Sequence, residues 1–262
     1  MARRRSLPFI GLLVLMLLSC EATAGLPNPF ATATPTATPT FTPSPTPSPT
    51  PTATLTPTPP PTGVFTETLA DDATHFVDYD AGYEMLTPRG WTVIPIDAVD
   101  IQKAASALGN NNPDIKNAIE QLSQLDPNSF RLFVLDTDPA HFVKGLVTNI
   151  TVFMVKDKMS AALPMDMLLS VNLENIKSTY PSVKVISSEV KKNAGGVEIG
   201  LLEVRLPLSK PNGTSIVIYE KQCYIKANDG ITILTFATPQ NMKDVTTPAF
   251  DLLIDSIKLL SR

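Results

Sequence analysis

Cysteine, histidine and tryptophan are nearly missing: the 262 residues hold two Cys, two His and one Trp. So few soft or imidazole ligands leave no set at zinc or iron–sulfur spacing, and no metal or cofactor is expected. Dinucleotide, P-loop, zincin and nucleophile-elbow motifs are all missing too, so no familiar reaction is written in the chain. Clustered basic residues are scarce beyond Arg3-Arg4-Arg5, the next densest spot being Lys191-Lys192. The balance of 21 Lys+Arg against 25 Asp+Glu gives a net charge of −4. Phosphate backbones need clustered cations, so a nucleic-acid partner is not expected. Long hydrophobic runs are also lacking. Leu7–Leu18 falls short of the roughly 20 residues that a spanning helix needs.

What is present begins at the N-terminus. Arg3-Arg4-Arg5, the short apolar run and Leu17-Leu18-Ser19-Cys20 have the layout of an export signal. The last four residues resemble the lipobox of bacterial lipoproteins. That resemblance implies cleavage between Ser19 and Cys20 and acylation of Cys20, with palmitate among the chains. Two or three chains anchor stably where one does not. The expected location is extracytoplasmic, with the bacterial cell membrane engaged through lipid on Cys20. Loss of the three arginines leaves 18 basic against 25 acidic residues, a mature charge of −7. Cys223 then has no partner in the chain, and its parity with Val217, Tyr219 and Ile225 reads as a buried strand position.

Residues 32–62 are almost entirely Thr, Pro, Ser and Ala. Proline at every second or third place removes donors and fixes φ, and there is little to bury. A semi-rigid polyproline-II spacer is expected, reaching on the order of 90 Å for some thirty residues. The expected organisation is a signal at 1–19, a lipidated N-terminus and disordered linker at 20–74, and one globular domain at 75–262.

Within that domain, Tyr83–Val93 reads as a hairpin turning at Pro88–Gly90. Asn112-Pro113 reads as a helix start, with Ile115, Ala118, Ile119, Leu122 and Leu125 on one face. Phe130–Leu135 and Ile150–Val155 are apolar on both parities, so both faces should be covered. Pro164–Tyr180 and the stretch from Thr247-Pro248 to Leu260 carry helical stripes. Between them Val183–Lys192, Val197–Leu208, Ser215–Ala227 and Ile231–Thr238 are separated by Ala194-Gly195-Gly196, Asn212-Gly213 and Asp229-Gly230, which is hairpin chemistry. The expected fold class is α+β: a single antiparallel β-sheet, meander plus N-terminal hairpin, flanked by α-helices.

Two-residue turns at Asn212-Gly213 and Asp229-Gly230 would fix the register. Leu206 would oppose Tyr219, Leu202 would oppose Cys223, and Arg205 would pair with Glu220. Leu234 would lie beside Ile225 and Phe236 beside Cys223. Lys221 would oppose Val204 on the apolar face and snorkel at an edge.

The opening GYEMLTPRGW, the Pro164–Tyr180 helix, the meander and the closing LLIDSIKLL together resemble the PsbP-like fold shared with DcrB-type bacterial lipoproteins. The resemblance spans about Phe76 to Leu260 by element order, with the helices at 97–126 as an insertion. It implies a protein that binds or assists a larger assembly and is not an enzyme.

The remaining candidates for chemistry are few. His75 and His141 are expected in surface or packing roles. Asp136-Thr137-Asp138 offers two carboxylates but lacks the glycine and distal glutamate of a calcium loop. Asp78-Tyr79-Asp80 is a weaker case still. Tyr83 and Trp91 are candidates to line a ligand groove. The expectation is a non-enzymatic, lipid-anchored binding or accessory module of the cell envelope, its partner an envelope protein or a small ligand. Two alternatives stand beside it: an envelope hydrolase whose site is assembled by folding, and a structural envelope component.

Overall fold

The computed structural model describes residues 61–94, 129–143, 146–209, 215–228 and 230–260, with scattered positions between 103 and 126. The signal, Cys20, the Thr/Pro stretch up to residue 60, Asn112-Pro113, Asn212-Gly213 and Asp229 lie outside the described residues.

The elements in order are β1 (Val64–Thr68), β2 (Thr74–Asp78), β3 (Tyr83–Leu86), β4 (Thr92–Ile94), β5 (Phe130–Leu135) and β6 (Asn149–Val155). There follow α1 (Lys158–Ala162), α2 (Met165–Thr179), β7 (Lys184–Lys192), β8 (Glu198–Ser209), β9 (Ser215–Lys226), β10 (Ile231–Pro239), α3 (Lys243–Ser256) and β11 (Lys258–Leu259). The fold class is α+β. Among the described residues the strands divide between two antiparallel sheets rather than forming one. Their orders are β1-β2-β3-β11 and β4-β5-β6-β10-β9-β8-β7.

Two sheets arise because Tyr83–Val93 is not a hairpin. β3 pairs with β2 and β11, whereas β4 pairs with β5. The turn at Pro88–Gly90, with Gly90 at φ 74°, carries the chain from one sheet to the other. The first strand, β1, lies ahead of the expected domain start at His75 and pairs along its length with β2.

Apart from its exposed edge strand β7, the seven-stranded sheet is largely buried on both faces. Its inner face packs Leu132, Val134, Ile150, Leu201, Cys223, Leu234 and Phe236 against Phe76 and Tyr83 of the smaller sheet and Phe250, Leu253 and Ile254 of α3. Its outer face is covered at one end by Met165, Leu168, Leu169 and Ile176 of α2. At the other end the helical residues Ile115 and Ile119 close over Phe130, Phe133, Leu135 and Phe153. β5 is buried at every position, as its apolar character on both parities required.

α3 begins at Lys243 rather than at Thr247-Pro248, so Pro248 lies inside the helix. A single-turn 3-10 segment at Gln240–Met242 leads into it, and Thr246 Oγ1 donates to the Met242 carbonyl, bracing the turn before the proline. Its C-terminus is stopped from outside. Asn193 Nδ2 donates to the carbonyls of Ile254 and Ile257, both at 2.9 Å, satisfying acceptors that a helix end leaves open. The chain then leaves the helical path, so Leu260, the expected end of the stripe, lies just beyond β11 and not on the helix.

The meander exists with nearly the expected strand limits, but its register differs. β8 and β9 pair Leu206 with Ile218, Arg205 with Tyr219 and Leu201 with Cys223, one residue away from the two-residue-turn register. Ser209 faces Ser215, so five residues and not two close that hairpin. An odd loop reverses the face of one strand relative to the other. In the next hairpin Ala227 N donates to Gly230 O at 2.9 Å, which pairs Leu234 with Cys223 and Phe236 with Lys221. That displacement is two residues, so the faces survive while the neighbours change.

Gly230 sits where the β10 backbone meets the end of β6. A Cβ there would overlap the Val155 carbonyl oxygen and stand 2.9 Å from its carbon and 3.0 Å from Lys156 Cα. Backbone cannot yield as a side chain does, so Gly230→Ala should cost about 3 kcal/mol or more. At Gly200 the nearest atoms to the added methyl are side-chain atoms of Leu169 and Met165, at 2.9 Å and beyond, and Gly200→Ala should cost about 1 kcal/mol. Urea midpoints of the two variants measure the difference. Equal midpoints would show that β6 and β10 can part without cost.

Candidate functional site

Four polar clusters are built into the sheets. In the first, Arg131 of β5 has its side chain 8% exposed and lies 3.4 Å from Asp78 Oδ2 and 3.3 Å from Asp80 Oδ2. Burial pushes the Asp78 carboxyl above its usual range, opposed by the Ala81 N–H and the Arg131 charge. Asp80 is held below its usual range, first by the Gly63 N–H and, against some burial, by Arg131. Asp78-Tyr79-Asp80 is therefore a turn tied to the larger sheet. Asn228, whose N–H donates to Ala81 O and whose Nδ2 donates to Asp80 O, adds a second tie.

The second cluster joins Asp136 to His141, Oδ2 to Nδ1 at 2.6 Å, with Asp138 Oδ2 3.9 Å from Nε2. Both carboxylates also serve the local backbone. Asp136 Oδ1 accepts from Asp138 N, and Asp138 Oδ1 accepts from Ala140 N at the cap of a short 3-10 turn. His75 pairs with Glu84 at 3.1 Å. Among the described residues no group of three His, Cys, Asp or Glu side chains is placed to hold a metal ion.

The third cluster lies between the inner face and α3. Lys221 opposes Glu203, not Val204, and it does not snorkel. It is buried and reaches Asp251 Oδ1 at 2.7 Å and Glu203 Oε1 at 3.4 Å. Burial disfavours the ammonium, but bonds and charge from Asp251 and Glu203 outweigh it and hold the pKa above that of an ordinary lysine. Tyr219 donates to Glu203 Oε2 at 2.8 Å, and Lys243 Nζ stands 4.7 Å from the Tyr219 ring centre. Arg205 is exposed and opposite Tyr219, so it makes no cross-strand pair with Glu220.

The fourth cluster faces α2 on the outer side. Glu220 is 3% exposed, opposite Val204 on one flank and Ala237 on the other. Gln222 donates to its Oε1, and the Tyr224 hydroxyl donates to Gln222 Oε1. Glu220 Oε2 has no hydrogen-bond partner. Burial raises its pKa to about 7, the Gln222 amide acting the other way. Tyr180, at the end of α2, feels the Glu220 charge, and burial together with that charge lifts its hydroxyl pKa. No sequence motif points here. The available signal is Glu220-Lys221-Gln222, three polar residues between the apolar runs Ile216–Tyr219 and Cys223–Ile225 of one strand.

The structure places one groove candidate, Tyr83, in the inner core and the other, Trp91, half-buried against it. Tyr83 is fully buried, 5.9 Å centre to centre from Phe76, and Trp91 stacks on Phe236 at 6.4 Å. Cys223 is fully buried and its thiol is pushed up to about 12 by burial, which keeps it unreactive. Among the described residues no helix is long and apolar enough to cross a membrane.

No family model matches the chain, and no curated protein matches it. Among solved structures it is similar to the cyanobacterial PsbP protein CyanoP of Synechocystis, 13% identical with a TM-score of 0.47, over 73% of this chain and 94% of that one. It is also similar to LpqN of Mycobacterium tuberculosis, described as involved in cell envelope biogenesis, 11% identical with a TM-score of 0.42, over 76% and 91%. Both are likenesses of overall fold alone.

Proposed function

We propose that the protein is a lipid-anchored, non-enzymatic binding or accessory module of the bacterial cell envelope. The observation that carries the reading is the order Arg3–Arg5, apolar run, Ser19-Cys20 and Thr/Pro stretch ahead of a folded domain. An acylated cysteine would tether one end, and the Thr/Pro composition that follows it is that of a spacer. The domain's own chemistry supports binding over turnover. Each histidine pairs with a carboxylate, and the buried lysine and arginine each hold two. Such pairs fix elements to one another. One observation favours the hydrolase reading instead: Glu220 has the raised pKa of a general acid.

Metabolic labelling with an alkyne fatty acid should mark the wild type, and Cys20→Ala should remove the mark and release the chain from the membrane fraction. Persistent labelling of the variant, or an unlabelled wild type, would defeat the anchoring. Hydrolysis of envelope substrates by the wild type, lost in Glu220→Gln, would replace the binding reading by the enzyme.

A further inference from the structure

The outer face of the larger sheet changes character between its two covers. On the α2 side Leu202, Val204, Ile233 and Tyr224 are buried in one hydrophobic cluster. On the far side Phe133, Leu135 and Phe153 are buried in another. Between them the register sets Gln222, Thr235 and Thr151 side by side on β9, β10 and β6. In the adjacent row Glu220 and Asn149 flank Ala237. Five polar side chains therefore occupy the centre of a face whose two ends are apolar. Gln222 and Thr151 keep partial exposure, while Glu220, Thr235 and Asn149 are buried.

Folding alone gives this strip no reason to be polar. Apolar residues at these positions would join the two clusters, and a buried carboxylate oxygen without a donor is costly. Apolar walls with a few converging polar groups are the make-up of a small-molecule site. Glu220 is also the strip's one ionisable acid, and among the described residues no lysine or arginine contributes to its proton affinity. The titratable groups that face it among the described residues are Tyr224 of its own strand and Tyr180 from α2.

We propose that this strip is the polar end of a binding site for a small amphiphilic amine. The ammonium would be received by Glu220 Oε2 and the neighbouring hydroxyl and amide groups. Its apolar body would lie against one of the flanking clusters. Glu220 would then find the cation that no described residue supplies, and the tyrosine rings would add cation–π attraction. The inference deepens the reading of the domain as a binding module. Its test does not depend on lipidation, so the two can fail separately.

The experiment uses the whole mature chain with Cys20→Ala, titrated with hexylamine and, separately, with hexanol. Side-chain NMR signals of Gln222, Thr151 and Thr235 report the site. Hexylamine should shift all three saturably and bind at least about ten-fold more tightly than hexanol. Glu220→Gln should reduce that preference to within about two-fold while keeping the wild-type melting midpoint or raising it. Should that variant not fold, Thr235→Val, which leaves the acid in place, should weaken hexylamine about three-fold. Equal binding of amine and alcohol, shifts confined to other residues, no saturation, a preference that persists in Glu220→Gln, or unchanged hexylamine binding in Thr235→Val would each overturn the proposal.

Discussion

Replacing Arg131 with leucine should cost about 3–5 kcal/mol of folding stability, the range for removing one partner of a buried ion pair. Asp78 is fully buried and has Arg131 as its neighbouring cation, while Asp80 at the same turn keeps about a third of its side chain exposed. Without the guanidinium, Asp78 must take up a proton or stay charged in a place where burial already disfavours charge. The variant's deficit should therefore shrink as the pH falls toward the carboxylate range. Arg131→Leu combined with Asp78→Asn should recover part of the loss, because the stranded charge is then gone. Urea unfolding checks this through a lower midpoint with an unchanged slope. A loss below about 1 kcal/mol would mean that the turn is held by its backbone bonds and by Asn228 rather than by the ion pair.

The second large effect is on the pH dependence of stability. Glu220 has a folded pKa of about 7 against an ordinary 4.5. A carboxyl whose pKa is higher folded than unfolded holds its proton more tightly in the native state. Its contribution is complete below about 4.5, and is lost as the pH climbs through about 7. At about 1.4 kcal/mol per pH unit, the loss across that window is about 3 kcal/mol. Glu220→Gln keeps the shape and removes the titration. It should be nearly flat over the window and more stable than the wild type above pH 7. Melting midpoints of both proteins at intervals from pH 4.5 to 8 give the comparison. Parallel profiles would show that Glu220 does not titrate in the folded chain.

What could be read from residues alone was whatever depends on local chemistry. The strand limits of the meander, the helix at Met165–Thr179 and the coverage of β5 and β6 on both faces follow from turn residues and apolar spacing. The α+β class follows from their order. Cys223 could be placed as a buried hydrophobe because its strand neighbours at the same parity are large and apolar.

Register was different, and the reason is physical. Alternation fixes a register only where one face is wet; β8, β9 and β10 are covered on both faces by α2, α3 and the smaller sheet, so a slip of one residue still buries apolar side chains. The decision fell to loop length, and a five-residue connection set Val204 instead of Arg205 beside Glu220 and set Lys221 against Glu203. The division into two sheets likewise depended on where β3 and β4 found partners, β11 and β5, that are distant along the chain. The ties of Arg131 to Asp78, Asn193 to the end of α3 and Lys221 to Asp251 join residues 53, 61 and 30 or more positions apart. Turn and helix signals come from neighbours in sequence. These contacts come from which surfaces meet, and so only the tertiary structure could assemble the ion pairs and the polar strip around Glu220.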